Sequence, residues 1–221
     1  MVSLYNKIAS QSLERLASLS DGIFAFAMTV LVLDLHLPVR DTIHTEHELW
    51  SGLIAMSPQI VMCLMSFLSL GIFWNAQQTQ MNFMARSDRN FHWIHLLFLF
   101  AVVLIPFSTK LLAAFIVYRL ALIVYWLNTL AIGVVLYCSW RYVCRAGLVK
   151  EDVPTEIRRA INERIIIAQS LYVLGVLLCI ISTRWSIGFI LAVQLYYAVA
   201  PHRRQFNADG SHKKWQPESR R

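Results

Sequence analysis

RLASLSDGIFAFAMTVLVLDLHLP, residues 15–38, is the stretch on which the fold turns. It is an apolar run with a small and charged entrance (Ser18, Ser20, Asp21, Gly22) and a proline stop at Pro38. Twelve uncharged residues separate Asp21 from Asp34. At 1.5 Å rise per residue they cover about 18 Å, well short of the roughly 30 Å hydrocarbon core. A helix that crosses a membrane here must hold at least one carboxylate at or near membrane depth. Turning that group to lipid costs several kcal/mol, so it faces a bundle interior or a water-filled path. The stretch therefore predicts a pathway helix over about residues 20–38, with Ser20 or Asp21 capping its start.

The rest of the chain agrees with a membrane setting. Of 221 residues 57% are hydrophobic and only 15% charged, with a mean hydropathy of +0.52. A soluble domain carries about a quarter charged residues, so the composition predicts an all-α polytopic integral membrane protein. The first twenty residues are polar and the run after them is too long for a signal-peptide core, so no cleavable signal is expected. Cys63, Cys138, Cys144 and Cys179 have no C-x-x-C spacing and are expected to be small core residues. The net charge of +7 fits a basic inner side rather than nucleic-acid binding.

Working outward, the apolar runs predict six spans in one domain, residues 18–200. They fall at about 20–38, 52–75 (with Pro58 inside), 92–109, 113–140, 165–182 and 185–200. Residues 1–17 form a cytoplasmic lead-in, and residues 201–221 a basic cytoplasmic tail expected to be disordered. The charged segment 141–164 contains Pro154, which reads as the start of a short separate helix. With the N-terminus inside, sixteen of the twenty Lys and Arg residues fall on the inner side. Both termini are therefore expected in the cytoplasm.

On the first helix Phe26, Val30, Leu33 and Leu37 recur at helical spacing and make one face, which suits a packing seam as well as a water path. Thr29 adds a hydroxyl beside it, which either lines a path or bonds back to its own helix. Asp34, about 80° round from Phe26 at 100° per residue, either draws cations to the outer mouth or sits wetted at the interface. Asp21 is about 140° from Phe26, so a structural role is expected, its carboxylate pairing with Arg15 or another inner basic group. His92 and His95 have i,i+3 spacing without a third ligand, which favours an interface pair over a metal site. No phosphate loop, nucleophile elbow, H-E-x-x-H or T-V-G-Y-G filter occurs, so neither enzyme chemistry nor a conventional potassium filter is expected.

Arg15-x-x-x-Leu19-Ser20-Asp21-Gly22, running into Phe24-Ala25-Phe26-Ala27-x-Thr29-x-Leu31, resembles the R-x-x-x-F-S-D-G signature of the endosomal and lysosomal potassium channel family of the transmembrane-protein-175 type. Ser66-Phe67, Phe73-Trp74-Asn75 and Leu104-Ile105-Pro106-Phe107-Ser108-Thr109 extend the resemblance over roughly residues 12–200. It implies a potassium-preferring cation channel built as a homotetramer, each chain giving its first helix to a central pore. Phe26 then stands where the family has an aliphatic constriction, with Val30 and Leu33 continuing the lining and Thr29 at the position tied to cation preference. Arg15, Ser20, Asp21 and Gly22 brace the pore helix. Gln77 and Gln78 replace a histidine pair common in the family, so pH sensing by that pair does not carry over. A single-repeat chain of this length implies residence in the cell membrane, with potassium as the permeant ion, no cofactor, and copies of itself and lipid as partners. The alternative is a proton-coupled transporter using Asp34 or Asp21 as carrier, against which no inverted repeat or broken helix pair is visible.

Overall fold

The computed structural model describes residues 13–180 and 182–199. The expectations for the first twelve residues and for the basic tail lie outside the described residues. The chain is helical, with one isolated antiparallel bridge, Met84 to Val149, among the described residues. The elements are α1 (Leu13–Leu33), a 3-10 turn (Arg40–Thr42), α2 (Glu46–Ala55), α3 (Ser57–Asn82), α4 (Arg89–Val103), α5 (Ile105–Ala114), α6 (Arg119–Arg145), α7 (Thr155–Leu177), a 3-10 turn (Leu178–Ile180) and α8 (Thr183–Val199).

Five stretches are long and apolar enough to cross a membrane: α1, α3, α4 with α5, α6, and α7 with its 3-10 turn. The expected sixth span corresponds to α8, whose 17 residues make it shorter than the other five.

Several boundaries differ from expectation for identifiable reasons. The first helix contains Leu13 onward and ends at Leu33, not at Pro38. The Pro38 ring excludes the α conformation at the residue before it and has no N–H to continue the ladder. The amide released past the helix end at His36 donates instead to Gln59 Oε1 of α3 at 3.1 Å. Ser20 and Asp21 are therefore mid-helix rather than caps, and Ser20 Oγ donates to the Leu16 carbonyl one turn back at 2.9 Å.

Pro58 lies in the first turn of α3, where its missing N–H costs nothing, and α3 runs on to Asn82. The predicted third span is a pair of helices broken at Leu104, with Pro106 in the opening turn of the second. Pro154 does start a helix, but α7 is continuous from Thr155 through the predicted fifth span. Helix α2 opens on a capping box between Thr45 and Glu48. The amides of His44 and Thr45 donate to the Glu48 carboxylate and hold its pKa below the usual glutamate range.

Packing places α1 against α3, α4 and α5. Its inward face is Leu16, Ser20, Phe24, Ala27 and Leu31, spaced three or four apart. Phe24, Ala27 and Leu31 meet Leu70 and Phe73 of α3 and Phe98, Leu99 and Val102 of α4 in one apolar cluster. On the far side α8 packs on α3 and α7. Gly175 makes this possible: a Cβ there would sit 2.7 Å from Ile190, and Ser186 Oγ donates to its carbonyl at 2.6 Å. A buried polar set joins four helices, with Ser66 Oγ 2.6 Å from Thr109 Oγ1, Ser69 Oγ 3.1 Å from the Tyr125 hydroxyl, and Gln194 Nε2 donating to Ser69 Oγ at 2.7 Å. Such bonds hold membrane helices together where apolar burial gives no drive.

Candidate functional site

Helix α1 has two faces of opposite character. Opposite the packed face, Phe26 is 71% and Leu33 81% exposed, and Thr29 between them is exposed as well. Gly22 and Arg15 continue the same face toward the N-terminus, both exposed. Val30 is half-buried at the margin of this face rather than at its centre. Leu37 lies past the end of the helix, so the fourth member of the expected stripe is exposed but not helical. Thr29 Oγ1 donates to the Phe26 carbonyl at 2.8 Å, which occupies its proton and leaves its lone pairs outward.

The motif residues behind this face are fastened to two neighbouring helices. Asp21 Oδ1 accepts from Trp74 Nε1 at 2.8 Å and from Gln78 Nε2 at 2.5 Å, both on α3. An indole and an amide thus bind the carboxylate for which a basic partner was expected. Ser20, fully buried, has its Oγ 2.6 Å from His95 Nε2 on α4. That ring lies between Phe91 and Phe98, each 5.7 Å away centroid to centroid. His95 therefore belongs to the motif's packing and not to a metal pair with His92. Among the described residues no group of three potential ligands could hold a metal ion.

Just past the C-terminal end of α1, Asp34 Oδ1 accepts from Lys110 Nζ of α5 at 2.9 Å. The carboxylate expected at a cation-attracting mouth is half-buried and ion-paired. Nothing in the sequence joins Trp74 and Gln78 to Asp21, or Lys110 to Asp34. The spacing of 53 to 76 residues between partners carries no periodic signal.

Residues 15–106 match the family described as endosomal/lysosomal potassium channel TMEM175. A potassium channel from Chamaesiphon minutus is 30% identical over 189 residues, covering 84% of this chain and 93% of that protein. The chain belongs to the TMEM175 family. A potassium channel from Streptomyces collinus is also 30% identical, over 83% of this chain and 90% of its own length. Among solved structures, the crystal structure of a lysosomal potassium-selective TMEM175 homologue from Chamaesiphon minutus superposes with a TM-score of 0.72. It is 29% identical and the match covers 84% of this chain and 96% of that one. The TMEM175 match over residues 15–106 spans α1 through the start of α5, so it includes Asp21, its partners Trp74 and Gln78, and the Ser20–His95 contact. Long apolar helices and a channel family together make this an integral membrane protein. The named relatives are channels, a class without catalysis.

Proposed function

We propose that the chain is a passive, potassium-preferring cation channel that works as a homotetramer. The observation that carries this is the outward face of α1. A membrane-spanning helix presents Phe26, Thr29 and Leu33 in register, and no other described residue covers them. One chain with one such face cannot enclose a path, whereas four copies arranged about an axis can, cyclic closure by identical subunits being the common solution. In that ring Phe26 forms the hydrophobic constriction, Leu33 extends it outward with Val30 at its edge, and Thr29 offers the only hydroxyl oxygens between them. Apolar rings close a pore by dewetting and by steric contact, and a phenyl ring changes its effective width by rotating about χ1.

The same reading places the protein in the cell membrane with both termini in the cytoplasm, α8 completing the sixth crossing. The excess of Lys and Arg on the predicted inner segments supports that orientation. Potassium is the permeant ion, and the conduction path uses no cofactor. The test is potassium flux in liposomes containing the purified protein, with sodium and proton gradients as controls. Flux that favours potassium and persists without a second gradient is the expected result. Flux that requires a second moving ion would make the protein a coupled transporter instead.

A further inference from the structure

A surface groove of about 520 Å³ lies between α1, α3 and the end of α8, away from the Phe26 face. Its outer part is apolar, with Met28, Phe67 and Gly71 in its walls. Its inner end carries Asn75, Arg164 and Tyr197, with Asp21 beside them already engaged by Trp74 and Gln78. From Asn75 back to Phe67 is eight residues of helix, or about 12 Å at the helical rise, the reach of a half-extended acyl chain. Arg164 is exposed and makes no hydrogen bond or ion pair among the described residues. It also lines a second cavity of about 260 Å³, whose walls include Thr79, Gln80 and Gln169. Gln169 Oε1 is buried there without a hydrogen-bond partner.

We propose that this groove binds one anionic phospholipid of the inner leaflet, with an acyl chain along Gly71 and Phe67 and the phosphate on the Arg164 guanidinium. The order of the walls fits such a molecule: apolar toward the membrane centre, cationic at headgroup depth, and polar just inside it. Charge selects the lipid over the other possible occupant. The predicted inner segments carry most of the chain's Lys and Arg, which attract acidic headgroups and disfavour a second basic inner surface laid against Arg164. Gly71 is the feature that keeps the slot open. A Cβ built there meets nothing within 4 Å, so the groove is empty over the α3 backbone. The inference rests on the proposed orientation, but not on what ion crosses the membrane.

The experiment is native mass spectrometry of the full-length protein released from micelles containing phosphatidylglycerol and phosphatidylcholine in equal amounts. Wild type is expected to retain phosphatidylglycerol preferentially. Arg164→Gln should lower that retention about fivefold, the worth of one basic residue at a membrane surface, and leave phosphatidylcholine unchanged. Gly71→Leu places a side chain in open space on a helix that tolerates it, and should lower retention of both lipids without changing the oligomer's mass. Equal retention of the two lipids by wild type, or undiminished phosphatidylglycerol on both variants, would overturn the proposal. A shift of Gly71→Leu to a smaller oligomer at unaltered lipid retention would overturn it too, giving the groove to a neighbouring copy. No ion gradient enters the measurement, so a failure of lipid binding and a failure of conduction are separate results.

Discussion

Replacing Asp21 should weaken the protein without touching its ion preference. Asp21→Ala removes the single oxygen that accepts from both Trp74 Nε1 and Gln78 Nε2. A hydrogen bond to a charged acceptor is worth about 1.5–3 kcal/mol, and both donors are partly exposed, so the lower figure applies and the pair contributes about 3 kcal/mol. For a chain of this size that is a drop of roughly 6–12 °C in melting temperature. Asp21→Asn keeps a neutral acceptor of about half the strength, so it should lose about half as much. Tryptophan fluorescence during heating in detergent reads the stability, and a bi-ionic potassium–sodium reversal potential in liposomes reads the preference. The side chain leaves α1 well round from Phe26, so that potential should not move. A normal melting curve combined with a shifted reversal potential would refute the reasoning, because it would place the carboxylate on the conduction path.

Four further outcomes are expected. Phe26→Ala should raise basal potassium flux severalfold, measured in liposomes, because it removes the bulkiest group from the uncovered face of α1; unchanged flux in an assembled channel would take Phe26 off the axis. Thr29→Ala should bring the potassium–sodium reversal potential closer to zero, while Thr29→Ser, which keeps the oxygen, should preserve it. Lys110→Ala frees Asp34 from its 2.9 Å partner and should raise single-channel conductance at low salt, where screening is weak, with little effect at high salt. Gly175→Val forces α7 and α8 apart where Ile190 already approaches, and should cost about 1–3 kcal/mol in thermal or denaturant unfolding.

The helices were legible because membrane composition is a strong signal, but their ends were not. Hydropathy marks where a chain is apolar, and a helix continues wherever its backbone can hydrogen-bond. So α3 passes through the polar run Asn75–Asn82, and α7 starts at Thr155, just after Pro154, in the most charged segment of the chain. Proline was read by its presence rather than its position. Pro58 and Pro106 sit in opening turns, where they start helices instead of interrupting them, and the helix before Pro38 ends five residues upstream of it. Helical periodicity likewise located the face of Phe26 and Leu33, yet it could not distinguish a buried seam from an exposed one. Only the side of α1 taken by Phe24, Ala27 and Leu31 decides that.

The two carboxylates that first marked α1 as unusual turn out to sit on different supports, and this explains why its uncovered face can stay so apolar. Asp21 is fixed to α3 toward the N-terminal end of α1 and Asp34 to α5 just past its C-terminal end, about 140° and 80° round from Phe26 at 100° per residue. Together with the buried Ser20–His95 contact, made at the same level as Asp21, they hold α1 at two levels from its back and sides. None of these three contacts is made by the face of Phe26, Thr29 and Leu33. Its residues are free to be selected for what they present to the space beyond the described residues, and an aromatic ring can stand at Phe26 in place of an aliphatic side chain without unseating the helix. A helix anchored through its own front could not make that substitution, since the same side chains would have to serve both packing and conduction.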